Sequence, residues 1–132
     1  MTLIDSNVLI DILEGDPGWS KASIAALAGC ASRGPIAIND VIYAELSAGF
    51  ESRAAVDREV DTMGLIVARL SRDAAFLAGQ AFRRYRASGG TRANVLADFF
   101  IGAQASAEGW AILTRDARRY RTYFPEVAPV EP

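Results

Sequence analysis

Thr2-Leu3-Ile4-Asp5-Ser6-Asn7-Val8-Leu9-Ile10-Asp11-Ile12-Leu13 opens the chain, and its reading decides the fold. Thr2-Leu3-Ile4 is a brief apolar run that predicts a strand. Val8, Leu9, Ile12 and Leu13 then recur at the spacing of one helix face, with Ser6 or Asn7 as N-cap. An acid, Asp5, stands at the junction between the two.

The same alternation continues outward. Asp16-Pro17-Gly18 is a break. Trp19 to Ala31 predicts a second helix with Ile24, Leu27 and Ala31 on one face. Gly34-Pro35 ends it, and Ile36-Ala37-Ile38 predicts the next strand. Asn39 caps a helix through Val41, Ile42, Glu45 and Leu46, and residues 52–63 predict another. Leu65-Ile66-Val67 reads as a third strand. Arg72 to Ala87 predicts a long helix with Phe76, Ala78, Gly79 and Phe82 inward. After the loop Ser88-Gly89-Gly90-Thr91, Asn94 caps a helix through Glu108. Ala111-Ile112-Leu113 predicts a fourth strand, and Val127 to Val130 a short fifth. Strands separated by helices predict an α/β domain of three layers, α/β/α, around a parallel sheet of four to five strands. The whole chain, residues 1–132, reads as one domain.

Composition narrows the chemistry. The 132 residues are 51% hydrophobic and 23% charged, the balance of a globular domain. Histidine is absent, which removes Ser-His-Asp and Cys-His catalysis and every imidazole-bound zinc site. Cys30 is the only cysteine, so no internal disulfide forms and a reducing compartment suits the chain. The net charge of -2 excludes a uniformly basic nucleic-acid binder. Charge is nevertheless uneven. Asp5, Asp11, Glu14 and Asp16 crowd the first residues, whereas arginines dominate residues 83–121. Lys21 is the only lysine, and arginine's planar fork suits phosphate. Met1-Thr2-Leu3-Ile4-Asp5 has no basic leader, and no apolar run is long enough to span a membrane, so the expected location is cytoplasmic.

In an open parallel sheet, ligands bind beyond the carboxyl ends of the strands. Asp5 and Asp116 each follow a strand. Glu45 and Asp98 lie on helices that start from that same rim. Asp5, Glu45 and Asp98 all have apolar neighbours, and carboxylates in such settings need a partner or a cation. Each acid alone also reads as a cap or a solvated charge: Asp116 can open a helix through Ala117–Tyr120, and Asp98 suits a helix N-terminus. Together, with no histidine or nearby lysine, they point to a divalent ion held by oxygen, Mg²⁺ or Mn²⁺.

At these residues the sequence resembles the PIN-domain family, and within it the toxin ribonucleases of VapBC toxin–antitoxin pairs. The resemblance rests on Leu3-Ile4-Asp5-Ser6-Asn7-Val8-Leu9-Ile10, Tyr43-Ala44-Glu45-Leu46, Asn94-Val95-Leu96-Ala97-Asp98-Phe99-Phe100-Ile101-Gly102-Ala103 and Leu113-Thr114-Arg115-Asp116-Ala117-Arg118-Arg119-Tyr120, in that order. It implies an acidic site of Asp5, Glu45, Asp98 and Asp116, with Asp5 and Asp98 as direct Mg²⁺ ligands and Asn7 and Thr114 in support. It also implies an RNA substrate, a homodimer and a small cognate antitoxin. Metal-assisted phosphodiester hydrolysis agrees with the residue inventory, and Arg92 and Arg115 are the candidates for holding the RNA backbone. Val41, Ile42, Phe50, Phe76, Phe82 and Tyr85 are apolar residues in excess of one thin core, the mark of an interface.

Other classes fit less well. A phospho-receiver or a haloacid-type phosphatase would need a lysine beside the acids, and Lys21 is misplaced. A non-toxin PIN nuclease and a catalytically idle PIN scaffold share the fold, and only activity separates them.

Overall fold

The computed structural model describes residues 1–92 and 94–132. Its centre is β1 (Thr2–Ile4), a strand buried along its whole length. Beside it run β2 (Ile36–Asn39) on one side and β4 (Ala111–Leu113) on the other. β3 (Ile66–Ala68) and β5 (Pro129–Val130) form the edges, giving the parallel order β3-β2-β1-β4-β5. The helices are α1 (Ser6–Glu14), α2 (Ser20–Ala31), α3 (Asp40–Ser47), α4 (Arg53–Thr62), α5 (Arg72–Ala87), α6 (Leu96–Glu108) and α7 (Arg118–Tyr123). Parallel crossovers are right-handed. The chain steps from β1 to β2 to β3 in one direction, then returns past β1 to β4 and β5, so the two sets of crossover helices cover opposite faces. This is the expected three-layer α/β/α fold. Strands covered on both faces read as continuous apolar runs, as Leu3-Ile4 and Ile36-Ala37-Ile38 do. Among the described residues no helix is long and apolar enough to cross a membrane.

Several local expectations shift. Asp5, not Ser6 or Asn7, is the N-cap of α1, and its side chain makes no capping bond because its carboxylate is committed elsewhere. Asn94 does not cap α6; the helix starts at Leu96 behind Val95. Asn39 does cap α3, accepting from the Ile42 N–H at 2.9 Å. On α2 the buried positions are Ser23 and Cys30, while Ile24 is 52% exposed. That Ala- and Ser-rich helix has no apolar stripe to fix its rotation. On α5 the inward row is Ala74, Ala78 and Ala81; Phe76 is 65% exposed and Gly79 also faces out. Small alanines let α5 pack closely on α6, and they outweigh the larger but misphased phenylalanine. Ile66 and Val67 are exposed because β3 is an edge strand. Ile42, counted above as surplus, is fully buried core. Phe50, Phe82 and Tyr85 pack partly against the core, which leaves Phe76 as the exposed member of that group.

Candidate active site

The strand order reverses between β1 and β4, and crevices form at such a point. The Asp5 N–H donates to the Leu113 carbonyl at 2.9 Å, so the residue after β1 is fastened to the end of β4. Asp5 is 5% exposed. Its Oδ2 accepts from Thr114 Oγ1 and from the Tyr120 hydroxyl, each at 2.9 Å. Thr114 is positioned in turn: Asn7 Nδ2 donates to its Oγ1 at 3.4 Å and the Asp116 N–H at 3.1 Å. Asn7 Oδ1 accepts from the Arg115 N–H at 3.2 Å. The two expected supporting residues, Asn7 and Thr114, therefore tie α1 to the segment after β4.

Ser6 Oγ donates to Glu45 Oε1 at 3.1 Å and lies 3.5 Å from Asp5 Oδ1, linking α1 to α3 at the rim. Asp98, in the first turn of α6, is half-buried and ion-paired with Arg119 of α7. Asp116 is exposed and accepts from the Arg118 N–H at 3.3 Å.

The electrostatics couple these groups. Burial raises the Asp5 carboxyl above the usual carboxylate range, against the donors from Thr114, Tyr120 and Ser6. Glu45 is raised by desolvation of its carboxyl and then by the charges of Asp5 and Asp98, with the Ser6 hydroxyl opposing. Asp98 is raised by desolvation, then by Asp5 and more weakly by Asp116, with Arg119 opposing. Burial holds the Tyr120 phenol well above its ordinary range, with Asp5 and Asp98 adding to the effect. Tyr120 is thus a permanent donor to Asp5.

The fold therefore brings Asp5, Glu45, Asp98 and Asp116 to one edge of the sheet. Among the described residues no group of three or more acids closes on a single point as a ready-made cage. The donor set itself is all oxygen and crowded, with Arg119 paired to Asp98 and Arg118 Nε 3.6 Å from Asp116 Oδ1 at its outer rim, which is the chemistry of a hard divalent cation retaining several waters.

Arg115, expected to hold the RNA backbone, is engaged within the chain. Its Nε lies 3.1 Å from Asp11 Oδ2, and its guanidinium stacks 5.0 Å over the Trp19 ring. Arg92 is exposed, and its N–H donates to the Tyr85 hydroxyl at 3.1 Å. Sequence reading missed Tyr120 and Arg119 as site residues. Their only signal was a phenol and a cation a few residues beyond Asp116, where a helix returns over the sheet end.

Comparison with known proteins bears on the fold that carries these residues. The PIN domain family model matches residues 2–125. Ribonuclease VapC19 of Mycobacterium tuberculosis is 29% identical over 130 residues, covering 98% of both chains. Among solved structures, VapBC2 from Rickettsia felis bound to a promoter DNA fragment superposes with a TM-score of 0.77 at 18% identity, covering 99% of this chain and 98% of that one. VapBC-1 from nontypeable Haemophilus influenzae gives 0.73 at 16% identity, covering 98% and 96%. At such identities the structural likeness is one of fold.

Proposed function

This chain belongs to the PIN-domain family, and from that premise we propose that it is a VapC-type ribonuclease, the toxin of a type II toxin–antitoxin pair. The observation that carries the reading is the buried Asp5 at the switch point, electrostatically coupled to Glu45 and Asp98. With no histidine in the chain, phosphodiester hydrolysis must run on carboxylates.

Asp5 and Asp98 are the residues that would hold Mg²⁺ or Mn²⁺, and the ion would supply charge neutralisation at the scissile phosphate and an acidified water. The chain's own residues do the rest. Thr114 and Tyr120 fix Asp5 through Oδ2 and leave Oδ1 toward the rim. Glu45, oriented by Ser6 and made more basic first by desolvation and then by its acidic neighbours, orients the attacking water and takes its proton. Asp116 completes the acidic edge. Asn7 keeps Thr114 in place.

Purified protein should cut single-stranded RNA with Mg²⁺ and not with EDTA, and Asp5→Asn should lose at least a hundredfold in rate. Equal cleavage in EDTA, or by Asp5→Asn, overturns the site. In cells, the unpartnered wild-type chain should arrest growth and Asp5→Asn should not. Arrest relieved by a small cognate antitoxin, encoded beside the toxin, is the expected pairing. A homodimer in the cytoplasm belongs to the same reading. An active nuclease that leaves growth untouched would be a PIN nuclease without toxin function, and a folded chain without activity an idle scaffold.

A further inference from the structure

Between α5 and α7, beside the acidic edge, lies a cleft of about 340 Å³ lined by Tyr85, Asp116, Arg118, Arg119, Thr122 and Tyr123. We propose that this cleft is a nucleotide subsite, holding one unstacked base and its phosphate from single-stranded RNA next to the cleavage centre. The proposal rests on the ribonuclease reading and adds the place where the substrate is gripped.

Four observations converge. First, the cleft carries two aromatic rings. Tyr85 and Tyr123 lie 6.3 Å apart and are steeply inclined to one another. Both are backed by the buried Phe99, at 5.7 and 5.0 Å. A ring fixed from behind offers a base a stacking surface with little entropy left to lose. Second, the cleft carries two arginines. Arg118 is almost fully exposed, in a loose surface pair with Asp116 at 3.6 Å, and Arg119 is largely buried and paired with Asp98; arginine's fork has further donors that suit phosphate. Aromatic rings beside two guanidinium groups are the complement of a nucleotide.

Third, the cleft is joined to the acids. Asp116 is one of its walls, and Arg119 lines it while reaching Asp98. A phosphate held here would stand next to the carboxylates that act on the chain. Fourth, the walls are held together. Arg84 of α5 donates to the Tyr123 carbonyl at 3.2 Å, and the Arg92 N–H pins the Tyr85 hydroxyl at 3.1 Å. The second bond brings the loop carrying Arg92 to the rim. The volume takes one nucleotide, at the low end for ligand pockets. A base must leave its stack to enter, so the cleft selects single-stranded RNA over duplex.

The test measures binding of a fluorescein-labelled single-stranded RNA by anisotropy in EDTA, with Mg²⁺-dependent cleavage followed in parallel. Arg118 is exposed enough that Arg118→Gln leaves the fold unaffected. It should weaken binding about tenfold and reduce the slope of log affinity against log salt by about 0.7, one phosphate contact on a single strand. Tyr85→Leu should weaken binding by a similar factor with the salt slope unchanged. Arg53→Gln, at a surface pair on α4, should do neither. A wild-type protein that cuts RNA while Arg118→Gln and Tyr85→Leu bind it as tightly as wild type overturns the subsite and leaves the nuclease standing. Equal affinity for single-stranded and duplex RNA also overturns it. Wild-type protein that neither binds nor cuts RNA overturns both readings together.

Discussion

The Tyr120 hydroxyl donates to Asp5 Oδ2 at 2.9 Å, from a side chain that is 1% exposed and lies 115 residues away in sequence. Thr114 donates to the same oxygen. One oxygen of the carboxylate is therefore saturated by fixed donors. The other, Oδ1, carries neither of these donors, lies 3.5 Å from the Ser6 hydroxyl and faces the rim where chemistry can use it. The core of the protein thus aims the acid rather than merely enclosing it.

Tyr120→Phe keeps the ring and removes the donor. A hydrogen bond to a buried charge is worth about 1.5–3 kcal/mol. The variant should melt roughly 5–10 °C lower, and cleavage should fall about tenfold as Asp5 loses its fixed orientation. Calorimetry and a cleavage time course check both; wild-type rates in a destabilised Tyr120→Phe would show that the phenol only packs.

Gly102 makes a related prediction from α6. A Cβ there would run into the Phe124 ring and come within 3.1 Å of the Tyr120 ring. Alanine is the better helix former by about 1 kcal/mol, but overpacking a rigid aromatic contact costs about 1–3 kcal/mol. Gly102→Ala should therefore lower the melting temperature. It should also slow cleavage at temperatures where it is fully folded, because the Tyr120 ring that holds Asp5 must give way by a few tenths of an ångström along with Phe124. An increase in stability with unchanged activity would reject this account.

Asp5, Glu45 and Asp116 were legible because each follows a strand closely or lies on the helix after one, and a parallel sheet sends strand ends to one rim; Asp98, a helix and a loop beyond β3, was legible from its apolar neighbours and its place at a helix start. Asn7 and Thr114 were legible only through the family resemblance. Tyr120 and Arg119 were not, because their partners, Asp5 and Asp98, come from other strands and helices, and α7 has only six residues to reveal its phase. Helix faces failed where small residues carry the packing: Ala78 is buried and Phe76 is not, since closeness of approach favours the smaller side chain. Arg115 was read as a phosphate contact because arginine near an acidic site suggests one. Its partnership with Asp11 depends on α1 and the loop after β4 meeting in space.

That partnership has its own consequence. Asp11 is 4% exposed, and its link to Arg115 is an ion pair without an aligned hydrogen bond. Removing the arginine leaves a buried charge uncompensated, a loss of several kcal/mol when both partners are buried. Arg115 retains a third of its side-chain exposure, which reduces the expected loss to about 1–2 kcal/mol. Arg115→Gln should lower stability, and Asp11→Asn in the same chain should recover part of it. A chemical denaturation series on the single and double variants measures this. Unchanged stability with weakened RNA binding would instead assign Arg115 to the substrate.

The acidic edge should also make stability depend on pH. Asp5, Glu45 and Asp98 are all raised above their unfolded values, chiefly by desolvation. The native state then binds more protons than the unfolded state in the interval above the ordinary carboxylate pKa of about 4. Stability contributed by these groups is greatest below that value and falls as pH rises through their folded pKa values. Asp5→Asn keeps an oxygen to accept from Tyr120 and Thr114 but carries no charge. Relative to wild type it should gain stability steadily from pH 4 toward pH 7 in EDTA. Parallel pH dependences for the two proteins would mean that Asp5 is not electrostatically strained.

A cation should remove that strain, and this prediction does not depend on turnover. If Asp5 and Asp98 hold Mg²⁺ or Mn²⁺, the ion binds the native state alone and stabilises it by RT ln(1 + [L]/Kd), about 2.7 kcal/mol at a hundred times Kd. For a domain of this size that is a rise of roughly 10 °C in melting temperature. The pH dependence described above should flatten at the same time, because the neighbouring charges are neutralised. Asp98→Asn should lose the response to metal. Arg119→Gln, which frees Asp98 of its resident cation, should show the response at lower metal concentration than wild type. Thermal melts across a Mn²⁺ titration, with Ca²⁺ as a second hard ion, separate the cases. A melting temperature indifferent to metal in the wild type, or raised equally in Asp98→Asn, would remove the metal from this site and leave the four carboxylates without the role given to them.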